Sequence, residues 1–362
     1  MAAQSLHLAW SNPVRIHWGA GCFQQLASDI PVVVLADRGA LSYENETLLL
    51  ERLGDHCKAW SWFQGGLATV ALARTLCNEL WPVLHEYPEA VVLAVGGGST
   101  LDLAKVLRYR FHDTGVAADC WRSNTLLPSV ARHALWLVPT TAGTGSEVTR
   151  WATLWDTEVA HAQKLSWSPA DGYGECAFVD PELSFSCPLR QSRDCALDSL
   201  SHALEALWNR NANPITESLA VEAARLVIDK LPLMQEHPGN HEARTALARA
   251  SLLAGMAMSQ TQTALAHALS YQLTLDEQLP HGQACAVWLP MVWELALGAA
   301  PTCDAALARV FDVPAAEGVQ HLRGWLHTLG ISPRDLRQTA VGRSALAQEM
   351  RSARGRNFIA SR

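Results

Sequence analysis

The chain has 362 residues, beyond the ~250–300 at which one hydrophobic core stops growing, so two domains are expected. Hydrophobic residues make up 49% and charged residues 17%, a balance that supports large buried interiors and excludes a mostly disordered chain. The net charge of −7, with no long run of Lys or Arg, leaves no electrostatic footprint for nucleic acid or an anionic membrane, and neither is expected as a partner.

In chain order, apolar strand-like runs at 31–37, 58–63, 90–95 and 133–138 alternate with helical patterns such as 70–85 and 101–110. Continuous apolar strands separated by helices imply a parallel sheet covered on both faces, an α/β domain. Residues 150–180 read as a few short strands. After Pro181 glycine and proline thin out, and Ala/Leu-rich segments of helical period run over 196–208, 216–230, 244–259 and 284–297, an all-helical domain. The boundary falls within a few residues of Asp180-Pro181, giving domains 1–180 and 181–362. No stretch reaches the ~20 apolar residues of a membrane span, and the start MAAQSLHLAW lacks a basic segment followed by an apolar one. The expectation is a soluble, cytoplasmic protein. The nine cysteines include no CxxC pair and read as reduced core residues, among them Cys176, Cys195 and Cys285.

The strand at 90–95 runs into Gly96-Gly97-Gly98-Ser99-Thr100 and then a helix carrying Asp102 and Lys105. Such a loop lets backbone N–H groups and a helix N-terminus approach a pyrophosphate; a tight turn without a ligand is the competing reading. The GxGxxG fingerprint is absent. A second polar loop, Pro139-Thr140-Thr141-Ala142-Gly143-Thr144-Gly145-Ser146-Glu147-Val148-Thr149, follows the strand at 133–138. Two such loops at the carboxyl edge of a parallel sheet point to a nucleotide. Asp37 ends the first strand, where a carboxylate can accept ribose hydroxyls and repel a 2′-phosphate, favouring NAD over NADP; a turn or cap aspartate is the alternative.

In the helical half, Asp198 and His202 stand at i and i+4 on one helix face. Alone, such a pair is more often a solvated helix salt bridge than a metal site. His267, within an apolar helical run, and His281, opening a helix after Pro280, add two imidazoles from apolar surroundings. One carboxylate and three neutral imidazoles suit Fe(II) or Zn(II) better than Mg or Ca.

In this order, GGGS-x-x-D-x-x-K, P-T-T-A-G-T-G-S-E-V-T, D-x-x-x-H and H-x12-PHG resemble the iron-containing alcohol dehydrogenase family over 19–291. The resemblance implies an N-terminal dinucleotide-binding α/β domain, an all-helical C-terminal domain and a homodimer. It implies Asp198, His202, His267 and His281 as metal ligands, with Gly97, Gly98, Thr140, Thr149 and Lys164 as cofactor contacts beside Ser99, Asp102 and Thr141 of the same loops. Asp37 matches the acidic residue associated with NAD. Two features depart from the family pattern. Where many members carry a second His four residues after the third ligand, this chain has Tyr271, and the family's Asn-Pro-Thr turn is here Leu67-Ala68-Thr69, of which Thr69 is kept as a candidate contact.

The segment His267-Ala-Leu-Ser-Tyr271-Gln-Leu-Thr, with Lys164-Leu-Ser166, is similar to the phosphonoacetaldehyde reductase branch. That similarity implies NAD(P)H-linked reduction of phosphonoacetaldehyde to 2-hydroxyethylphosphonate, with His267 and Tyr271 at the reacting centre and Tyr271 in a proton relay. Cationic side chains should then meet the phosphonate, and the candidates are Arg150, Arg354 and Arg356; a frayed basic C-terminus is the competing reading for the last two. Other readings are a general short-chain alcohol dehydrogenase or lactaldehyde-type reductase, a dehydroquinate synthase-like lyase using metal and NAD, and a nucleotide-binding protein without chemistry.

Overall fold

The computed structural model describes residues 10–160 and 162–361. It divides into two compact units, Pro13–Pro188 on one hand and 189–361 with residues 10–12 on the other.

In the first unit the strands are β1 (Arg15–Trp18), β2 (Val32–Asp37), β3 (Cys57–Phe63), β4 (Val91–Gly96), β5 (Tyr109–Arg110), β6 (Ala131–Arg132), β7 (Ala134–Pro139), β8 (Ala152–Asp156), β9 (Gln163–Trp167) and β10 (Cys176–Val179). Its helices are α1 (Tyr43–Leu53), α2 (Val70–Glu86), α3 (Gly98–Leu107) and α4 (Thr114–Ser123). Six strands form a parallel sheet in the order β1-β10-β7-β4-β2-β3. Alternation along each strand divides the core between the two faces. Val33, Leu35, Val92, Ala94, Leu135 and Leu137 pack with α2, α3 and α4, while Val32, Val34, Ala36, Leu93, Val95 and Val138 pack with Leu49 and Leu53 of α1. Both faces are therefore apolar, which is why the strands read as continuous hydrophobic runs. The edge strand β1 is mostly exposed and carries no such run.

The chain places β3 on one side of β2 and then β4 on the other. The order of winding reverses between β2 and β4, and ligands of open α/β sheets bind at the carboxyl ends of strands at such a reversal. Asp37 ends β2 and Gly96 ends β4 at this point.

The unit extends past the expected Asp180-Pro181 boundary to Pro188. Asp180 holds the following turn onto the sheet unit: its carboxylate accepts the Phe23 N–H at 3.1 Å and the Glu182 N–H at 3.1 Å, and Leu183 is buried with Phe23 and Leu26. Residues 10–12 group with the helices, and Gln260 Nε2 donates to Ser11 O at 2.7 Å.

The second unit is helical: α5 (Leu189–Leu207), α6 (Pro214–Glu236), α7 (His241–Thr261), α8 (Leu265–Asp276), α9 (His281–Ala286), α10 (Leu289–Ala296), α11 (Pro301–Phe311), α12 (Ala315–Thr328) and α13 (Ala340–Met350). The expected single helix over 284–297 is two, α9 and α10, because Pro290 lacks an N–H and takes a first-turn position. Among the described residues no helix is long and apolar enough to cross a membrane. All nine cysteines are free; Cys22, Cys77, Cys120, Cys285 and Cys303 are buried, while Cys176 and Cys195 are half-buried rather than core.

In the turn after β7 Glu147 is buried. Burial pushes its carboxyl from about 4.5 up to about 7, against the opposing pull of its backbone N–H and of Lys105. The fold favours the neutral form, so this stabilisation is complete below the unfolded-chain value and is lost as pH rises through about 7. Between pH 4.5 and 8 the wild type should lose about 3 kcal/mol relative to Glu147→Gln in urea unfolding; parallel pH profiles for the two proteins would remove Glu147 as the cause.

Candidate functional site

The nucleotide-type loops lie side by side. Gly96 of β4 is in register with Pro139 of β7, so both loops leave the same edge of the sheet. Their contacts explain the glycines. A Cβ on Gly96 would sit 2.4 Å from Thr100 Oγ1 and 2.9 Å from Asp37 Cβ; one on Gly98 would sit 2.6 Å from Thr144 Cγ2, and one on Gly97 would sit 3.3 Å from Thr141 Cγ2. Gly97 also caps α3 without a side chain, leaving the positive end of that helix behind Gly98 and Ser99.

Asp102 and Lys105 hold the two loops together. Asp102 accepts from Ser146 Oγ at 2.7 Å and from the Thr153 N–H at 2.9 Å. Lys105, buried, donates to Ser146 Oγ at 2.7 Å, Thr149 Oγ1 at 3.3 Å and Trp151 O at 2.7 Å. The expected cofactor contacts Asp102 and Thr149 therefore have internal partners. Thr140, in contrast, is buried with an Oγ1 that has no hydrogen-bond partner. Asp37 Oδ1 accepts the Gly39 N–H at 2.9 Å. Thr69 caps α2, accepting the Leu72 N–H at 3.1 Å. Lys164 of β9 lies over Trp155, and Arg150 over the Trp151 ring at 5.8 Å.

In the helical unit the four expected donors converge on one atom. His267 Nε2, His202 Nε2 and His281 Nε2 lie 3.4, 3.7 and 3.9 Å from Asp198 Oδ1, and the His202 and His267 rings stack at 4.7 Å. Asp198 Oδ1 and His267 Nε2 are buried and have no hydrogen-bond partner. Burial pushes the Asp198 carboxyl up, but the imidazoles of His202, His267 and His281 outweigh burial and hold it well below the ordinary carboxylate range. An ionised oxygen among imidazoles, with Asp198 Oδ1 and His267 Nε2 buried and without a hydrogen-bond partner, fits a divalent cation of the iron or zinc type.

Two residues at this centre escape the sequence reading. Glu205, one further turn along the Asp198/His202 face of α5, is fully buried. Its Oε2 lies 2.6 Å from His267 Nδ1 and accepts the Ala264 N–H at 2.8 Å, while Oε1 accepts the His267 N–H at 3.1 Å. Thus it stands in for the N-cap that Ala264 cannot supply to α8, and it turns His267 Nε2 toward Asp198. The i, i+4, i+7 spacing of Asp198, His202 and Glu205 was the available signal. The second is Cys285: its sulfur and the donor atoms of Asp198, His267 and His281 all lie within 4.8 Å of one another.

Gly282 sets the approach of α9 to α5, since a Cβ there would fall 1.8 Å from Asp194 O; Gln283 Nε2 fastens the contact by donating to Asp194 Oδ1 at 2.6 Å. Tyr271 stacks with the His281 ring at 6.3 Å, and Arg354 lies over Tyr271 at 5.4 Å while donating to Thr263 Oγ1. The tail is docked rather than frayed. Phe358 is fully buried, Asn357 Nδ2 donates to Thr263 O at 2.9 Å, and the Ile359 N–H donates to Trp208 O at 3.0 Å. Arg356 is exposed and does not join this group.

The family model described as "Iron-containing alcohol dehydrogenase" matches residues 13–181, and that described as "Fe-containing alcohol dehydrogenase family, C-terminal" matches 193–355. The phosphonoacetaldehyde reductase of Streptomyces viridochromogenes is 35% identical over 204 residues, 55% of this chain and 51% of that protein. The sulfoacetaldehyde reductase of Bilophila wadsworthia is 32% identical over 200 residues, 55% of this chain and 51% of that one. In these alignments the chain spans about half the length of the curated relatives it matches, and a quarter of an aldehyde-alcohol dehydrogenase from Entamoeba histolytica. Among solved structures, the sulfoacetaldehyde reductase of Bifidobacterium kashiwanohense, in complex with NAD+, shares the fold with a TM-score of 0.83 and 24% identity, covering 98% of this chain and 95% of that one.

Replacing Glu205 by Ala removes the partner that orients His267 and should weaken metal affinity about 10- to 100-fold, with Glu205→Gln falling between. Competition against a chromophoric chelator measures it; unchanged affinity in both variants would leave Glu205 with a packing role alone.

Proposed function

The chain belongs to the iron-containing alcohol dehydrogenase family, and from that premise we propose that it reduces a short aldehyde carrying a phosphonate to the alcohol, with one divalent metal and NADH in preference to NADPH. The observation that carries the substrate class is Arg354, a guanidinium held over Tyr271, whose ring in turn stacks with the candidate ligand His281. When bound, the metal supplies Lewis acidity toward the aldehyde oxygen and the nicotinamide supplies the hydride.

The chain's own residues have separable tasks in this reading. Asp198, His202, His267 and His281 hold the metal, and Glu205 fixes His267 among them. The backbone of Gly97, Gly98 and Ser99 takes the pyrophosphate at the start of α3, with Thr140, Thr141, Thr149 and Lys164 as further cofactor contacts. Asp37, at the winding reversal, accepts ribose hydroxyls and disfavours a 2′-phosphate. Arg354 takes the anionic group through its fork of N–H donors. Arg150 remains a second cationic candidate; the exposed Arg356 has less to support it. Tyr271, one turn beyond His267 on α8, is the group we assign to proton delivery toward the product oxygen. A sulfonate aldehyde is the second reading, supported by the two sulfoacetaldehyde reductases among the relatives.

Oxidation of NADH and NADPH, followed at about 340 nm, against phosphonoacetaldehyde, sulfoacetaldehyde and uncharged aldehydes of equal length tests the proposal. Phosphonoacetaldehyde with NADH should give the highest kcat/KM. Arg354→Ala should raise KM for the phosphonate about 10- to 100-fold and leave uncharged aldehydes unaffected. A preference for uncharged aldehydes would reject the anionic substrate, and a preference for the sulfonate would select the second reading. In Tyr271→Phe, kcat should fall and its pH profile change; full kcat at every pH would remove Tyr271 from proton transfer.

A further inference from the structure

We propose that Cys285 supplies a thiolate donor to the metal held by Asp198, His202, His267 and His281, making this a mixed oxygen, nitrogen and sulfur centre that favours Zn(II) over Fe(II). The proposal rests on the metal-binding reading above and concerns one further residue.

Cys285 lies four residues after His281 on α9, so sulfur and imidazole project from one face of that helix. Their atoms, Cys285 Sγ and His281 Nε2, are 4.0 Å apart. The direction of α9 is set by its backbone contact with α5 at Gly282 and by the Gln283–Asp194 hydrogen bond, which places both side chains toward Asp198. Cys285 is fully buried. A buried cysteine in apolar surroundings behaves as a small hydrophobic group, but these surroundings are not apolar. The sulfur is within 4.8 Å of the donor atoms of Asp198, His267 and His281. Asp198 Oδ1 and His267 Nε2, in residues 5% and 2% exposed, have no hydrogen-bond partner. Two unpartnered buried atoms thus face the same point as the sulfur.

Donor chemistry decides which metal this favours. Carboxylate and imidazole accept iron and zinc alike, whereas a thiolate is a soft ligand common at zinc, and Zn(II) stands above Fe(II) in the ordinary affinity order. Sulfur enters as the thiolate, its proton leaving to solvent as the metal binds. No electron changes hands, so the step needs neither oxidant nor reductant.

Chelator-stripped full-length protein titrated with Co(II) separates the layers of this argument. One equivalent should give visible d–d bands together with a near-ultraviolet thiolate-to-cobalt charge-transfer band. That band should vanish in Cys285→Ala and Cys285→Ser while the d–d bands persist. Should both variants fail to fold, X-ray absorption of the zinc-loaded wild type reads the same donor, a sulfur scatterer at ~2.3 Å. In the wild type, d–d bands without charge transfer, or a zinc shell without sulfur, would overturn the thiolate and leave the metal site standing. Absence of cobalt binding would overturn both.

Discussion

An ionised carboxylate oxygen taken out of water has to meet cations or hydrogen-bond donors, because leaving it bare costs several kcal/mol. In the helical unit that oxygen is Asp198 Oδ1, and much of the surrounding architecture is organised about it. Helix α5 contributes Asp198, His202 and Glu205 along one face. Helix α8 begins where Glu205 can receive its first N–H groups, so the start of that helix and the direction of His267 are settled by the same carboxylate. Helix α9 comes against α5 at Gly282, because no side chain fits between Gly282 and Asp194 O. Once these contacts exist, imidazoles from three helices reach one oxygen atom.

The nucleotide edge of the other unit is built differently. There the polar groups are partnered by their own loops: Lys105 and Asp102 bind the Ser146–Thr149 turn to α3 from beneath. Gly97 and Gly98 stand at the N-terminus of α3, where the first backbone N–H groups have no partner within the helix. The close approaches of Gly97 to Thr141 and of Gly98 to Thr144 show that these glycines serve internal packing as well as any ligand. An anion site made of N–H groups and helix partial charge needs no buried ionised group of its own.

Much of this was legible in the sequence because it is local. The strands β2, β4 and β7 bury both faces and so appear as unbroken apolar runs, while β1, an exposed edge strand, has no such run. The helix at 284–297 divides because a single Pro290 outweighs the apolar periodicity around it. The spacing of Asp198 and His202 was visible, yet the same helix face continues to Glu205, whose partner lies 62 residues away. Cys285 reads as one more core cysteine until the sulfur is seen beside His281. The tail shows the same limit: Arg354 and Arg356 look alike in sequence, and only one lies over Tyr271.

By itself the sequence determined the class of the central strands and of the longer helices it marks by period, the two strand-to-helix loops, the division into α/β and helical parts and the residue types available to hold a metal. These follow from periodicity, glycine and proline placement and i, i+4 geometry, all of which act within a few residues. The tertiary structure alone decided which donors share one oxygen, that Glu205 orients His267, that Cys285 lies within the cluster and that Arg354 lies over the Tyr271 ring. Each of those outcomes depends on contacts between helices distant in the chain, where a backbone approach such as that at Gly282 sets distances that no local pattern encodes.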